Sequence, residues 1–225
     1  MITVEDLAKH FKDPKRGVVR AVDGVSFSTS PGEIFGLLGA NGDGKTTLLR
    51  MLSTVIAPTS GRAEIHGHDV ANEPDAVRKS IGFMSTTTAL YSRLTPREML
   101  KYMGKLYGIT SSQLGARVEE TIAMLEMEEF ADRLCDKLST GQKQRTSLAR
   151  TILHDPPVLF FDEPTAGLDV LASKTIMEFI ESCRDRNKTV VFSTHIMSEA
   201  ERVCDRICVI HDGKIRAIGT LQELK

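Results

Sequence analysis

The sequence predicts an α/β fold built on a mainly parallel sheet, and three stretches of the chain lead to this prediction. An apolar segment at residues 33–38 runs into a glycine-rich turn, and a helical pattern follows at 45–52. Two further apolar segments, 158–161 and 189–194, are each followed by ionisable side chains. Buried parallel strands are continuous apolar runs that present functional groups at their carboxyl ends.

The size and charge of the chain limit the classes of protein that fit. With 225 residues and a mass of 24.8 kDa, it suits one large domain with a substantial core. Its 29 Lys and Arg against 30 Asp and Glu give a net charge of -1, so no basic field indicates a nucleic-acid partner. The N-terminus lacks a secretory signal, and no apolar run approaches the roughly 18 residues of a membrane span. We therefore expect a soluble, cytoplasmic protein.

The four cysteines are too few and too irregularly spaced for a disulfide framework. We expect small buried thiols at Cys135, Cys183, Cys204 and Cys208. A metal pair at Cys204 and Cys208 is the alternative.

The N-terminal segment predicts antiparallel β structure before the glycine-rich turn. Residues 3–11 and 18–28 read as strands, and the polar stretch 12–17, with its Pro and Gly, reads as the loop between them. Phe11 ends the first strand as an exposed aromatic. It is either edge packing or a platform for a base, and the pattern leaves both open.

The glycine-rich turn, residues 39–46, fits the pattern G-x-x-x-x-G-K-[ST] and is called the phosphate loop below. Its glycines allow close backbone approaches, Lys45 can reach the β- and γ-phosphates, and the Thr46 hydroxyl suits Mg²⁺. The helix that follows points its N-terminal amides at the bound anion. The alternative is a chance glycine turn. Residues expected to contact nucleotide here are Asn41, Gly42, Asp43, Gly44, Lys45, Thr46 and Thr47.

The middle of the chain changes from strand patterns to helix patterns. Short strands are predicted at 63–66 and 81–84. Thr95 then has the position of a helix N-cap, with Pro96 at the first helical position and Glu98 completing a capping box. Four apolar residues recur at helical spacing, namely Leu114, Val118, Ile122 and Leu125. We therefore predict a helical insertion at residues 87–154.

A second helix N-terminus follows the polar glycine turn at 138–142 and runs to His154. Ser139 is its predicted cap. The exposed amides make either a second phosphate contact or an ordinary capped helix, and these five residues do not decide between the two.

Ionisable residues follow the two apolar strands of the C-terminal half. Asp162 and Glu163 end the first of them, where P-loop ATPases hold Mg²⁺ and polarise the attacking water. The structural alternative is that the two acids cap the next helix. His195 ends the second strand and is placed to contact a γ-phosphate, although a lone histidine is usually structural. Residues 207–225 read as a closing hairpin and a short helix.

Taken in order, these motifs resemble the nucleotide-binding domain of ABC transporters over nearly the whole chain. Residues 39–46 match the Walker A loop, 138–142 the LSGGQ signature, 158–163 Walker B and 166–169 the D-loop. His195 matches the switch histidine, and Phe11 falls where the family's A-loop aromatic stacks on adenine. Residues 138–145 and 154–157 look most like the ATPase subunits of ABC-2-type exporters, including the sodium-extrusion branch.

The resemblance implies a P-loop NTPase with a RecA-like core and a single ABC ATPase domain at 1–225. Core and antiparallel β subdomain would occupy 1–86 and 155–225, and the helical subdomain with the signature 87–154. The implied activity is Mg²⁺-dependent ATP hydrolysis that powers an exporter. Implied roles are general base for Glu163, metal contact for Asp162 and Thr46, and phosphate contact for Lys45 and His195.

The resemblance also implies partners. Two ATP molecules would be sandwiched in a head-to-tail dimer, formed with a second copy or a paralogous subunit. Each ATP would lie between one chain's Walker loops and the other's signature helix, which carries Ser139, Gly141 and Gln142. Asp169 of the D-loop is also expected to contact nucleotide. Separate transmembrane permease subunits would hold the dimer at the inner face of the cell membrane.

Two positions depart from the family pattern. Thr86 stands where a glutamine contacts Mg²⁺ and the lytic water, so we expect a water-bridged metal contact or none, and slower turnover. Asp43 stands where a small neutral residue is usual. A carboxylate about 4 Å from a phosphate charge is repulsive by about 1 kcal/mol in water. We therefore expect weakened ATP affinity unless Asp43 points outward or pairs with a basic residue such as Lys15 or Arg16.

Three alternatives remain beside the exporter ATPase. Thr86 and Asp43 motivate a hydrolysis-impaired cassette that binds nucleotide as a partner subunit. A soluble ABC protein acting on DNA or ribosomes usually has coiled-coil insertions or two cassettes, and this chain has neither. A kinase-type P-loop enzyme has no use for a signature helix.

Overall fold

The computed structural model describes residues 1–15, 17–85 and 90–224, and its strands form two sheets. In chain order the strands are β1 (Ile2–Asp13), β2 (Gly17–Thr29), β3 (Ile34–Leu38), β4 (Ser60–Ile65), β5 (His68–Asp69), β6 (Ile81–Ser85), β7 (Val158–Asp162), β8 (Thr189–Thr194), β9 (Arg206–His211) and β10 (Lys214–Gly219). The helices are α1 (Lys45–Leu52), α2 (Pro74–Ser80), α3 (Pro96–Leu106), α4 (Ser111–Met124), α5 (Thr140–Ile152), α6 (Val170–Ser182), α7 (Met197–Val203) and α8 (Leu221–Leu224). A short 3-10 helix spans Cys135–Lys137.

The larger sheet confirms the predicted parallel core. Its strand order is β10-β9-β3-β8-β7-β6. Strand β3 runs parallel to β8 and β9, β8 runs parallel to β7, and β9 pairs with β10 in the antiparallel direction. Because parallel strands end at one edge, the segments after Leu38, Asp162 and Thr194 emerge side by side.

The smaller sheet is antiparallel, with the order β2-β1-β4-β5. This confirms the antiparallel structure predicted before the phosphate loop. Its apolar side chains share one core with the larger sheet and α1. Phe27 of β2 stacks on Phe35 of β3, with ring centroids 5.0 Å apart and an interplanar angle of 8°. The shared core holds the strands that surround the phosphate loop in fixed positions.

The chain forms two compact units. The first consists of Met1–Phe83, Pro157–Glu163 and Phe179–Lys225, and the second of Met84–Pro156 and Pro164–Glu178. The predicted helical subdomain, 87–154, lies within the residue range of the second unit, and its boundaries remain predictions.

Local helix signals in the second unit were predicted correctly. The Thr95 side chain and Glu98 form both hydrogen bonds of a capping box at the start of α3. The four apolar residues at helical spacing are all buried, with Leu125 just after the end of α4. Ser139 also caps its helix, but α5 ends at Ile152 rather than at His154.

Some features differ from or add to the sequence predictions. Helix α2 was not predicted, because only Val77 among its seven residues is buried and no apolar stripe marks it.

The four cysteines are buried free thiols, as expected. Burial raises the pKa values of Cys183, Cys204 and Cys208 to about 12. Within the described part of the chain, every helix falls short of the length and apolarity that a membrane span requires.

Candidate functional site

The phosphate loop joins β3 to α1 through backbone that only glycine adopts without strain. Gly42 and Gly44 have φ values of 93° and 99°, and Gly44 is the N-cap of α1. A Cβ atom on Gly44 would lie 2.2 Å from the carbonyl oxygen of Ala21. The loop therefore passes close to β2, and the backbone amides at the start of α1 have the arrangement that binds phosphate.

Lys45 is almost fully buried at the first position of α1, with 3% of its surface exposed. Its ammonium group donates hydrogen bonds to the carbonyl oxygens of Gly39 (2.7 Å) and Ala40 (2.9 Å). It also lies 3.2 Å from Glu163 Oε1. The cation is thus held between the phosphate loop and the end of β7.

Asp162, at the end of β7, is fully buried and contacts two hydroxyl groups. Its Oδ1 atom accepts hydrogen bonds from Thr46 Oγ1 and Ser193 Oγ, both at 2.9 Å. Burial raises the pKa of Asp162, and these two hydrogen bonds act in the opposite direction. A carboxylate beside a hydroxyl supplies the hard oxygen donors that Mg²⁺ prefers.

Glu163 follows directly and has an unusual backbone conformation. Its φ is 46°, a value that non-glycine residues rarely adopt. Its N–H group donates to the carbonyl oxygen (3.2 Å) and to Oγ (3.0 Å) of Ser193. Its carboxylate lies between Lys45 and His195, with Oε2 3.3 Å from His195 Nδ1. Three residues predicted to be catalytic are therefore in direct contact.

Ser193 is a site residue that sequence reasoning missed. It has no exposed surface, and the register of β7 and β8 places it opposite Asp162. The available signal was a serine that follows the apolar residues 190–192 and directly precedes Thr194 and His195.

Phe11 lies in β1 opposite Val19 and is 42% exposed. Lys9 Nζ is 5.4 Å from the centroid of its ring, within the range of a cation–π contact. In the phosphate loop Asn41 and Gly42 are exposed, and Thr47 is partly buried in the first turn of α1. Their contacts with nucleotide remain predictions.

The signature residues and the D-loop residue belong to the second compact unit. Ser139 and Gln142 form a capping box at the start of α5, so the predicted cap is confirmed. Asp169 Oδ1 accepts a hydrogen bond of 2.8 Å from the N–H group of Ala172 in α6. A Cβ atom on Gly141 would lie 3.0 Å from that of Ala172. The start of α5 thus packs closely against α6.

The two residues that depart from the family pattern have different outcomes. Thr86 lies outside the described residues, and its metal contact stays a prediction. Asp43 does have a basic neighbour, but this is His211, whose Nδ1 atom is 3.3 Å from Asp43 Oδ1, and not Lys15. The other residue named as a partner, Arg16, lies outside the described residues. The sequence could not indicate His211, because it is distant in the chain.

A phosphate loop that opens a helix, with two carboxylates and a histidine at neighbouring strand ends, defines a P-loop nucleotide-binding ATPase. The family model described as ABC transporter matches residues 22–166. The chain belongs to the ABC transporter family.

Relatives and solved structures agree with this assignment. The chain is 39% identical over 225 residues to the ABC transporter ATP-binding protein NatA of Bacillus subtilis, covering all of this chain and 91% of the relative. It is 41% identical over 203 residues to the Nod factor export ATP-binding protein I of Paraburkholderia xenovorans, covering 90% of this chain and 67% of the relative. A dimeric, post-hydrolysis structure of an ATP-binding cassette bound to ADP and Pi superimposes with a TM-score of 0.89 at 27% identity, covering 98% of this chain and 99% of that one.

These findings confirm the predicted fold class and activity. The chain is an ABC-type, ATP-binding subunit of the exporter kind, and its enzymatic activity is ATP hydrolysis. The alternatives of a kinase-type enzyme and of a soluble ABC protein acting on DNA or ribosomes gain no support from these relatives.

Proposed function

We propose that the residues after β3, β7 and β8 form the hydrolytic half of an ATP site. The observation that carries this proposal is the convergence of Lys45 and His195 on the Glu163 carboxylate, at 3.2 and 3.3 Å. Such convergence at the carboxyl edge of a parallel sheet is the arrangement expected of a site that binds phosphates and activates water.

In this proposal Glu163 is the general base. It accepts a proton from a water molecule, whose oxygen attacks the γ-phosphorus while the bond to the oxygen of the leaving ADP breaks. Lys45 and the amides at the start of α1 stabilise the phosphate charge, and the products are ADP and inorganic phosphate. His195 contacts Glu163 Oε2 and so orients the base, in addition to its predicted contact with the γ-phosphate.

The residues present fit Mg²⁺. Thr46 and Asp162 offer oxygen donors, and their hydrogen bond of 2.9 Å already brings them to one point. Bound there, Mg²⁺ would neutralise negative charge on the phosphates.

The second half of the site is proposed to come from another ATPase subunit. Ser139, Gly141, Gln142 and Asp169 of a second copy or a paralogue would face the ATP bound at Lys45. A dimeric structure of a similar cassette supports this arrangement. The dimer would close around ATP and open after hydrolysis, and permease subunits at the inner face of the membrane would receive this movement. The export-related name of one relative supports that role.

The test is the substitution Glu163→Gln in the purified chain. We expect ATP turnover to fall by orders of magnitude, because the amide cannot accept the proton, while ATP binding persists and a dimer accumulates in size-exclusion chromatography. Glu5→Gln, an exposed residue of β1, is the matched control and should hydrolyse ATP normally. Unchanged turnover in Glu163→Gln would contradict this mechanism. Turnover by the unmodified chain also separates the enzyme from a hydrolysis-impaired partner subunit.

A further inference from the structure

Asp43 lies within the phosphate loop, yet its carboxylate is directed into the protein. The residue is 7% exposed. Its Oδ2 atom accepts a hydrogen bond of 2.7 Å from the N–H group of Ala40, and Oδ1 accepts one of 3.2 Å from the N–H group of Asp212. His211 Nδ1 is 3.3 Å from Oδ1. Two backbone donors and the ring of His211 therefore surround a charge that the sequence suggested would repel the triphosphate.

These contacts compensate the charge of the carboxylate. Burial acts to raise the pKa of Asp43, but the hydrogen bonds from the N–H groups of Asp212 and Ala40, together with the charges of His211 and Lys45, outweigh burial. The pKa therefore lies below its ordinary value. Asp43 is ionised at neutral pH, and its charge is directed to its own donors.

The same residue fixes the part of the loop that holds Lys45. The N–H group of Asp43 donates to the carbonyl oxygen of Ala40 at 3.3 Å, while its side chain accepts from the N–H group of Ala40. That carbonyl oxygen of Ala40 accepts a hydrogen bond of 2.9 Å from Lys45 Nζ. Asp43 thus orients a backbone segment that positions the principal cation of the site.

Asp43 also ties the phosphate loop to the turn between β9 and β10. The N–H group of Gly213 donates to the carbonyl oxygen of Asp43 at 3.2 Å. On the other side of the turn, the carbonyl oxygen of Gly213 accepts a hydrogen bond of 2.9 Å from the N–H group of Asp23 in β2. A Cβ atom on Gly213 would lie 2.9 Å from the carbonyl oxygen of Ala21. The turn is held between the phosphate loop and β2.

The contacts continue toward the strand of the predicted adenine platform. Asp23 lies 3.3 Å from Lys214 Nζ and 3.4 Å from His10 Nε2 in β1. His10 is the immediate neighbour of Phe11. One polar network therefore runs from the phosphate loop, through the β9–β10 turn and β2, to the strand that carries Phe11.

We propose that Asp43 is a positioning residue that strengthens ATP binding by bracing the phosphate loop against the β9–β10 turn. This reverses the effect expected from charge alone. It rests on ATP binding at the phosphate loop, but it does not depend on Glu163 as general base. Asp43 would then act together with the residues of the β9–β10 turn that it contacts, and His211 would be one of them.

The test measures the Kd for ATP by calorimetry without Mg²⁺, so that hydrolysis plays no part. We expect Asp43→Ala to weaken binding about tenfold, as the loss of charge-assisted hydrogen bonds would. Asp43→Asn keeps one acceptor oxygen and should weaken binding less. Asp185→Ala, at an exposed aspartate, is the matched control and should bind as the unmodified chain does.

A double-mutant cycle with His211→Ala separates bracing from a general loss of structure. We expect the double variant to lose less affinity than the sum of the losses in the two single variants. Each single substitution already removes the contact between Asp43 and His211, so that contact is lost only once in the double variant. In steady-state kinetics, the KM for ATP of Asp43→Asn should rise by a larger factor than kcat falls. Unchanged or tighter ATP binding in Asp43→Ala or Asp43→Asn, or strict additivity with His211→Ala, would overturn the brace. Failure of Glu163→Gln to lose turnover would leave these binding results unaffected.

Discussion

At the scale of single residues, one buried hydroxyl contacts both acidic residues of the proposed hydrolytic site, the Asp162 carboxylate and the Glu163 backbone. Ser193 Oγ donates to Asp162 and accepts from the N–H group of Glu163. The positive φ of Glu163 is a conformation that surrounding contacts must hold in place. Ser193 supplies two of these contacts, and so it fixes the backbone from which the Glu163 side chain extends.

We predict that Ser193→Ala lowers kcat about tenfold or more, because a hydrogen bond to a charged partner and a support of the Glu163 backbone are lost together. The Kd for ATP without Mg²⁺ should stay unchanged, since the phosphate loop is intact. Steady-state kinetics and calorimetry measure the two quantities. Ser193→Thr retains a hydroxyl and should retain most activity, and Ser182→Ala, in α6, is the control. Equal loss of kcat and ATP affinity would indicate general damage instead.

At the scale of elements, two helices carry the same capping box but serve different purposes. Thr95 accepts from the N–H group of Glu98 at 3.2 Å, and Ser139 accepts from that of Gln142 at 3.3 Å. Both caps could be predicted from sequence because all their partners lie within four residues. In the proposed dimer only the cap of α5 also faces ATP.

We therefore predict that Thr95→Ala and Ser139→Ala each cost about 1 kcal/mol of folding free energy, as lost N-caps do. Only Ser139→Ala should also lower ATP turnover, because it removes a contact to the nucleotide of the second subunit. Denaturant titration and steady-state turnover, measured on both variants, test the pair. A similar loss of turnover in Thr95→Ala would show that stability alone explains the effect.

Contacts between distant segments mark where sequence reasoning ends. Strands β3, β7 and β8 and the phosphate loop were predicted from local patterns, because apolar runs and glycine spacing are local properties. Asp212 and Asp43 are separated by 169 residues, and Ser193 and Asp162 by 31. Such partners follow from strand order and register, which no short pattern contains. For this reason the sequence indicates the charge of Asp43 but not the N–H group of Asp212 that compensates it.

At the scale of the whole molecule, carboxyl groups whose pKa values are lowered in the folded state make the folding free energy depend on pH. Hydrogen bonds and ion pairs hold several carboxyl pKa values below their ordinary range, namely those of Asp23, Asp43, Asp69, Glu73, Asp132 and Glu223. A carboxyl group whose pKa is lower in the folded state stabilises the fold fully above its unfolded pKa. That contribution is lost as the pH falls through the folded pKa. The near-neutral net charge of -1 adds little self-repulsion at pH 7.

Asp69 allows this dependence to be tested away from the residues assigned to ATP. Its carboxylate accepts hydrogen bonds from the N–H groups of Ala71 (2.9 Å) and Asn72 (3.0 Å) and from Arg62 Nε (3.1 Å). Burial acts to raise its pKa, but these bonds and the charge of Arg62 together outweigh burial. We predict that Asp69→Asn lowers Tm at neutral pH and loses less further stability than the unmodified chain between about pH 5 and pH 2. Thermal denaturation across this range measures the slope, with Asp185→Asn as the exposed control. Parallel curves for Asp69→Asn and the unmodified chain would mean that the carboxylate charge at position 69 does not stabilise the fold.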